Sequence, residues 1–167
     1  MISAWEPPVL SPLEERCMSD PYYPHGWDCL WLAHDRNDQV GGFVTGSLGP
    51  IPVALLDLND LKVKDLEKMV LGQPKVSSSR LLVSFYPKPQ SFLELAERGI
   101  FVYDWTGLGQ SSKPYQQVAS PTTPILLASL PDRLREIASL AKFATSDFSA
   151  DTLLKPVEYF PCRGGRD

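Results

Sequence analysis

The sequence predicts an α+β fold: a single domain with a mixed, mostly antiparallel sheet and about three flanking helices. Three observations lead there. Stretches apolar on both faces alternate with capped, amphipathic stretches, the pattern of strands covered by helices. A chain of 167 residues with 43% hydrophobic side chains is long and apolar enough to bury one core without staples. No internal repeat and no shift in composition marks a boundary, so residues 1–167 are expected to form one globular unit.

The elements follow in chain order. Residues 1–26 hold Pro7, Pro8, Pro12, Pro21 and Pro24 among Trp5, Tyr22 and Tyr23. That proline density blocks long regular elements, while the aromatics argue against a free tail. An extended segment packed on the body is expected, with one helical turn at residues 12–18. Residues 27–52 read as a hairpin around which the rest is organised. Cys29 and Trp31 face one side of its first strand, 28–34, and Leu30 and Leu32 the other, so this strand should be central. Asp35, Arg36, Asn37 and Asp38 supply turn residues, Val40, Phe43 and Val44 restore the apolar pattern over 39–45, and Gly49-Pro50-Ile51-Pro52 ends the ladder.

Val53 to Leu56 is a short apolar run. Asp57-Leu58-Asn59-Asp60 has the acids and side-chain acceptors of a helix start, and Leu58, Leu61, Leu66, Met69 and Val70 then share one face until Gly72 and Pro74. A strand over 80–86, a helix over 90–98 closed by Gly99, and a strand over 100–105 follow within about 25 residues, compact enough for a parallel crossover. Residues 106–113 are the most loop-like in the chain, and Tyr115 to Ala119 is expected as an edge strand. Ser129 as N-cap, Pro131 in the first turn and Asp132 in the capping-box place start a helix over 130–142, striped by Leu130, Leu134, Ile137, Ala138 and Ala141. A last short strand is expected at 157–160, and residues 163–167 should fray.

Chemistry-bearing patterns are sparse. His25 and His34 are the two histidines, and Cys17, Cys29 and Cys162 form no CxxC pair, which argues against a zinc site or a disulfide framework. Cys29 and His34 sit five apart on one strand and so point to opposite faces. Asp35 to Gln39 places oxygens at alternate positions like a calcium loop, but Val40 and Gly46 stand where such a loop needs its glycine and its bidentate glutamate. Gly107-Leu108-Gly109-Gln110-Ser111-Ser112 lacks the third glycine and the lysine-serine ending of a phosphate loop. No metal, no cofactor and no catalytic residue is therefore assigned. The start of the chain shows neither a basic n-region nor an apolar h-region, and no stretch approaches the roughly 18 apolar residues of a membrane span, so no membrane role and a cytoplasmic location are expected.

The net charge of −4 is unevenly placed, because Met1 to Asp38 carries seven carboxylates against two arginines. An acidic quarter disfavours nucleic acid, which needs clustered cations to replace its counterions, and favours a basic protein partner. Asp20, Tyr22, Tyr23, Asp28, Asp35 and Asp38 are the candidate partner-binding residues on this ground: aromatics as anchors, carboxylates setting rate and specificity. Trp27 is expected in the core.

Two stretches, Trp31-Leu32-Ala33-His34-Asp35-Arg36-Asn37-Asp38-Gln39-Val40-Gly41-Gly42-Phe43-Val44-Thr45-Gly46 on to Pro52, and Gly99-Ile100-Phe101-Val102-Tyr103-Asp104-Trp105, resemble small bacterial proteins of the kind that serve as immunity partners in contact-dependent or secreted polymorphic toxin systems. The resemblance spans residues 27–52 and 99–140. It implies a non-catalytic immunity protein, monomeric when free, that binds a cognate toxin with a basic active-site cleft and occludes it. The alternatives are a small hydrolase or transferase using Cys17 or Cys29 with a histidine base, and a self-associating accessory protein.

Overall fold

The computed structural model describes residues 23–58, 60, 62–84, 86, 88–106 and 113–164, and within them the α+β plan is present. Doubly apolar sequence makes the centre of the sheet. Leu30–Asp35 (β1) is buried along its whole length, and Val40–Val44 (β2) runs back antiparallel to it with Trp31 opposite Phe43. Phe101–Trp105 (β5), equally buried, lies parallel to β2. Tyr115–Pro121 (β6) and Ser79–Leu81 (β4) extend one side, and Lys142–Phe143 (β7) pairs parallel to β1 on the other. The seven-stranded sheet runs β4-β6-β5-β2-β1-β7, with Leu153–Leu154 (β8) added on β6.

Alternation along the strands divides the sheet into two faces. One is aromatic: Phe43 stacks between Trp31 (centroids 4.2 Å apart) and Tyr103 (4.8 Å), with Tyr115, Phe143 and Phe148 around it. The other takes the helices Leu66–Leu71 (α2), Gln90–Ala96 (α3) and Asp132–Ser139 (α4), preceded in the chain by the four-residue helix Val53–Leu56 (α1). Amphipathic periodicity explains α4, which buries Leu134, Ile137 and Ala138. Gly99, just past α3, has φ +83, and a Cβ there would stand 2.8 Å from the Ile125 nitrogen. Gly41 has a different task. A Cβ on it would lie 2.7 Å from the Phe148 ring, so the bare strand is what lets that ring onto the sheet. Gly41→Ala is expected to destabilise the fold by about 1–3 kcal/mol through overpacking, read as a lower urea midpoint at unchanged slope.

Several boundaries depart from the sequence reading. β6 is an interior strand rather than an edge, because β4 and β8 cover its outer side. It also separates β4 from β5, so the compact strand-helix-strand unit makes no adjacent parallel pair. The parallel pairs are β2 with β5 and β1 with β7. The helix expected over 58–71 is confined to a 3-10 turn, Val63–Asp65, and α2, while Asp57 ends α1 instead of starting a helix. α4 begins after Pro131 with no side-chain cap, because residues 127–129 close into a 3-10 turn of their own, which leaves Ser129 outside. Residues 156–158 are a 3-10 turn, not a strand. Pro52 sits inside a short strand: Ile51–Pro52 (β3) pairs with Cys162–Arg163 (β9), so Arg163 is held where fraying was expected. The turn at residues 12–18 and the end of the tail, 165–167, lie outside the described residues.

Candidate functional site

The start of β1, the end of β2 and the end of β5 meet at one end of the sheet, because β1 runs antiparallel to β2 and β2 parallel to β5. Trp27 and Asp28 precede β1 there. Asp28 accepts a hydrogen bond from the Gly46 N–H at 2.8 Å and the Thr45 hydroxyl at 3.5 Å, and Cys29 N–H donates to Thr45 Oγ1 at 3.0 Å. These bonds tie the entry of β1 to the turn after β2, where Gly46 (φ +53) and Ser47 (φ +67) occupy the left-handed region. Asp104 stands at the end of β5 on the helix side of the sheet, buried, accepting a hydrogen bond from the Tyr86 hydroxyl. Glu67 in the first turn of α2 completes the cluster.

Asp28 acts on each of the other two carboxylates. Asp28 is exposed as a residue, but partial desolvation of its carboxylate lifts it above the ordinary carboxylate range, against the pull of its Gly46 and Thr45 bonds. Burial and then repulsion from Asp28 lift Glu67. Burial lifts Asp104 as well, and Asp28 adds to it, while the Tyr86 hydroxyl and the Trp105 N–H hold it back. A carboxylate near the carboxyl end of a central strand with a raised pKa, as Asp104 is, is a recurrent mark of a working site. Next to Asp28 in the chain, Trp27 is 58% exposed, with Lys64 Nζ 4.9 Å from its ring centroid. The expectation that Trp27 belongs to the core is thus corrected: it precedes the strand, and its ring stays at the surface under a lysine.

The predicted partner-binding residues do not form one patch. Asp35 and Asp38 lie at the far end of β1 from Asp28, about 20 Å away at a strand's rise per residue. Asp38 is exposed, at φ +60 in the turn, with His34 Nδ1 3.2 Å from its carboxylate. Asp35 is fully buried. Its carboxylate accepts from the Asn37, Gln39 and Phe148 main-chain N–H groups and from Gln39 Nε2, all within 2.7–2.9 Å, which makes it a structural anchor with no surface to offer. Tyr23 is also interior, donating its hydroxyl to the Gly49 carbonyl at 2.7 Å. Asp20 and Tyr22 lie outside the described residues. Of the described candidates, Asp28 alone belongs to the carboxylate cluster. Glu67, Asp104, Tyr86 and Lys64 were not foreseen. An acid closing a doubly apolar strand, as Asp104 does, was the signal available for one of them.

The two described thiols, Cys29 and Cys162, are shifted away from the reactive thiolate. Burial first, then Asp28 and Glu67, push Cys29 up to about 11, and its Sγ lies 3.7 Å from the Trp27 carbonyl. Burial pushes Cys162 up to about 12. A nucleophilic cysteine needs the opposite shift. Cys17 and the glycine loop at 107–112 lie outside the described residues, among which no group of three or more His, Cys, Asp or Glu is placed to hold a metal ion and no helix is long and apolar enough to cross a membrane.

The raised carboxylates carry a pH signature. Between the ordinary carboxylate range and the raised folded values, the folded chain binds more protons than the unfolded one, so these groups remove stability as pH rises through that window and restore it as pH falls. Asp28→Asn, whose side-chain oxygen can still accept from Gly46, is expected to shrink the difference in urea midpoint between about pH 4 and about pH 7.5. An unchanged difference would count against the coupling. Compared with known proteins, the chain matches no protein-family model, no curated protein and no solved structure.

Proposed function

We propose that this is a non-catalytic immunity protein that binds a cognate bacterial toxin in the cytoplasm and blocks its basic active-site cleft. The observation that carries the reading is Trp27, a large ring left 58% exposed next in the chain to Asp28, whose charge acts on Glu67 and Asp104. An exposed tryptophan beside acids is the composition of an interface centre, where an aromatic anchor supplies affinity and charge supplies rate and specificity. A basic partner would also stabilise the ionised forms that burial and repulsion disfavour, so binding relieves a cost built into the free protein. The thiol shifts favour this over the cysteine-enzyme alternative.

The test is to purify the protein with the product of the gene immediately upstream and measure the complex. Trp27→Ala is expected to weaken it by about 2–4 kcal/mol, a loss of roughly 30- to 1,000-fold. Glu67→Gln should slow association and reduce its sensitivity to salt. No complex, together with no protection of cells that express the upstream product, overturns the reading.

A further inference from the structure

A second feature lies on the helix side of the sheet, away from Trp27. Between α2, the turn that joins α3 to β5, and the start of α4 there is a partly enclosed cavity of about 150 Å³. Its walls are apolar, formed chiefly by Val70, Val76, Ile100, Ile125 and Leu134. A space of this size is enough for a benzene-sized molecule. Two groups at its edge favour negative charge. Arg98 lines it and donates from Nε to the Gln73 carbonyl (3.2 Å), from Nη1 to Glu94 (2.7 Å) and from Nη2 to Leu71 (2.8 Å).

Those three bonds use three of the five guanidinium N–H groups. Each goes to a main-chain carbonyl, and among the described residues no carboxylate pairs with Arg98: neighbouring Glu97 pairs with Lys75 at 2.7 Å, and Glu94 accepts from Gln90. The second group is the start of α4. Leu130 and Pro131 line the cavity, and the helix that follows has no side-chain cap, so its first-turn N–H groups meet no side-chain acceptor there. Asp132 in that turn is directed to the surface, where it pairs with Arg135.

We propose that this cavity binds a small organic acid with a compact apolar body, the ring or branched chain filling the space between Val70, Ile100 and Leu134, and the carboxylate meeting Arg98 and the first turn of α4. A bare inorganic anion would find too few donors against these walls, and a neutral hydrocarbon would leave the cationic edge unanswered. This site is independent of the partner-binding edge, and neither reading needs the other.

Benzoate is the probe, with benzyl alcohol as its neutral counterpart, each titrated into the full chain and followed by amide chemical shifts. Saturable benzoate binding at least tenfold tighter than benzyl alcohol is expected, with the largest shifts at Ile100, Ile125 and Leu134. Val76 is half-exposed at the cavity, so Val76→Trp should close the space and abolish both titrations without disturbing the core. Arg98→Gln should remove the preference for the anion. If that variant does not fold, the comparison of the two ligands on the unmodified chain and the Val76→Trp result still decide. Absence of saturable benzoate binding, equal affinity for the two probes, or full binding by Val76→Trp would each overturn the proposal.

Discussion

Phe43→Ala is expected to destabilise the protein by about 3–5 kcal/mol, a substantial share of the 5–15 kcal/mol that holds a typical domain folded. Phe43 is completely buried at the middle of the aromatic face, stacked on Trp31 and Tyr103 and met edge-on by Tyr115 and Phe148. Its removal leaves a cavity bounded by rings fixed from several elements. Trp31 is tethered by its Nε1–H to the Tyr115 hydroxyl at 3.2 Å, and Tyr103 donates its hydroxyl to the Asp151 carbonyl at 2.6 Å, so neither collapses freely into the space. Phe43→Leu keeps part of the volume and should cost less. Chemical denaturation reads both, and a loss below about 1 kcal/mol for the alanine variant would show that the face repacks.

Asp35→Ala is expected to have an effect of similar size, about 3–5 kcal/mol, by a different route. The side chain is small, but its carboxylate receives three main-chain N–H groups and the Gln39 amide; Gln39 keeps Asp147 as a second acceptor, whereas the buried Phe148 N–H has no replacement once the Asp35 carboxylate is gone. A donor stranded in the interior costs about 1–3 kcal/mol, and loosening of the two turn N–H groups and of the Phe148 segment adds to it without simple additivity. The Phe148 N–H bond reaches across the chain from the β1–β2 turn to residue 148, so its loss also loosens the ring that rests on Gly41. Accelerated hydrogen exchange at the Phe148 amide, beyond that at amides of β6, would locate the damage. Uniform exchange across the sheet would show instead that Asp35 serves only global stability.

The buried aspartate also shows where reading the sequence reaches its limit. Asp35 among turn residues reads as a turn former, and it is one, accepting from Asn37 and Gln39 N–H groups in the local Asx pattern. Its contact with Phe148 is invisible in the sequence, because a carboxylate's second oxygen carries no mark of the distant N–H that will meet it. Trp27 fails in the opposite direction. Its hydrophobicity argued for the core, yet the strand begins after it and the ring remains outside.

By itself the sequence determined the α+β class, the β1–β2 hairpin with β1 in the interior, the strand at 101–105 and the stripe of α4, because these rest on periodicity and local backbone chemistry within a few residues of each other. Only the tertiary structure decided that β6 lies between β4 and β5, and that Asp28 joins Glu67 and Asp104 while Asp35 and Asp38 stand at the other end of the sheet. Strand order and the meeting of side chains from separate elements depend on which long-range pairing buries the most surface with every polar group satisfied, a balance over the whole chain to which no local pattern is sensitive.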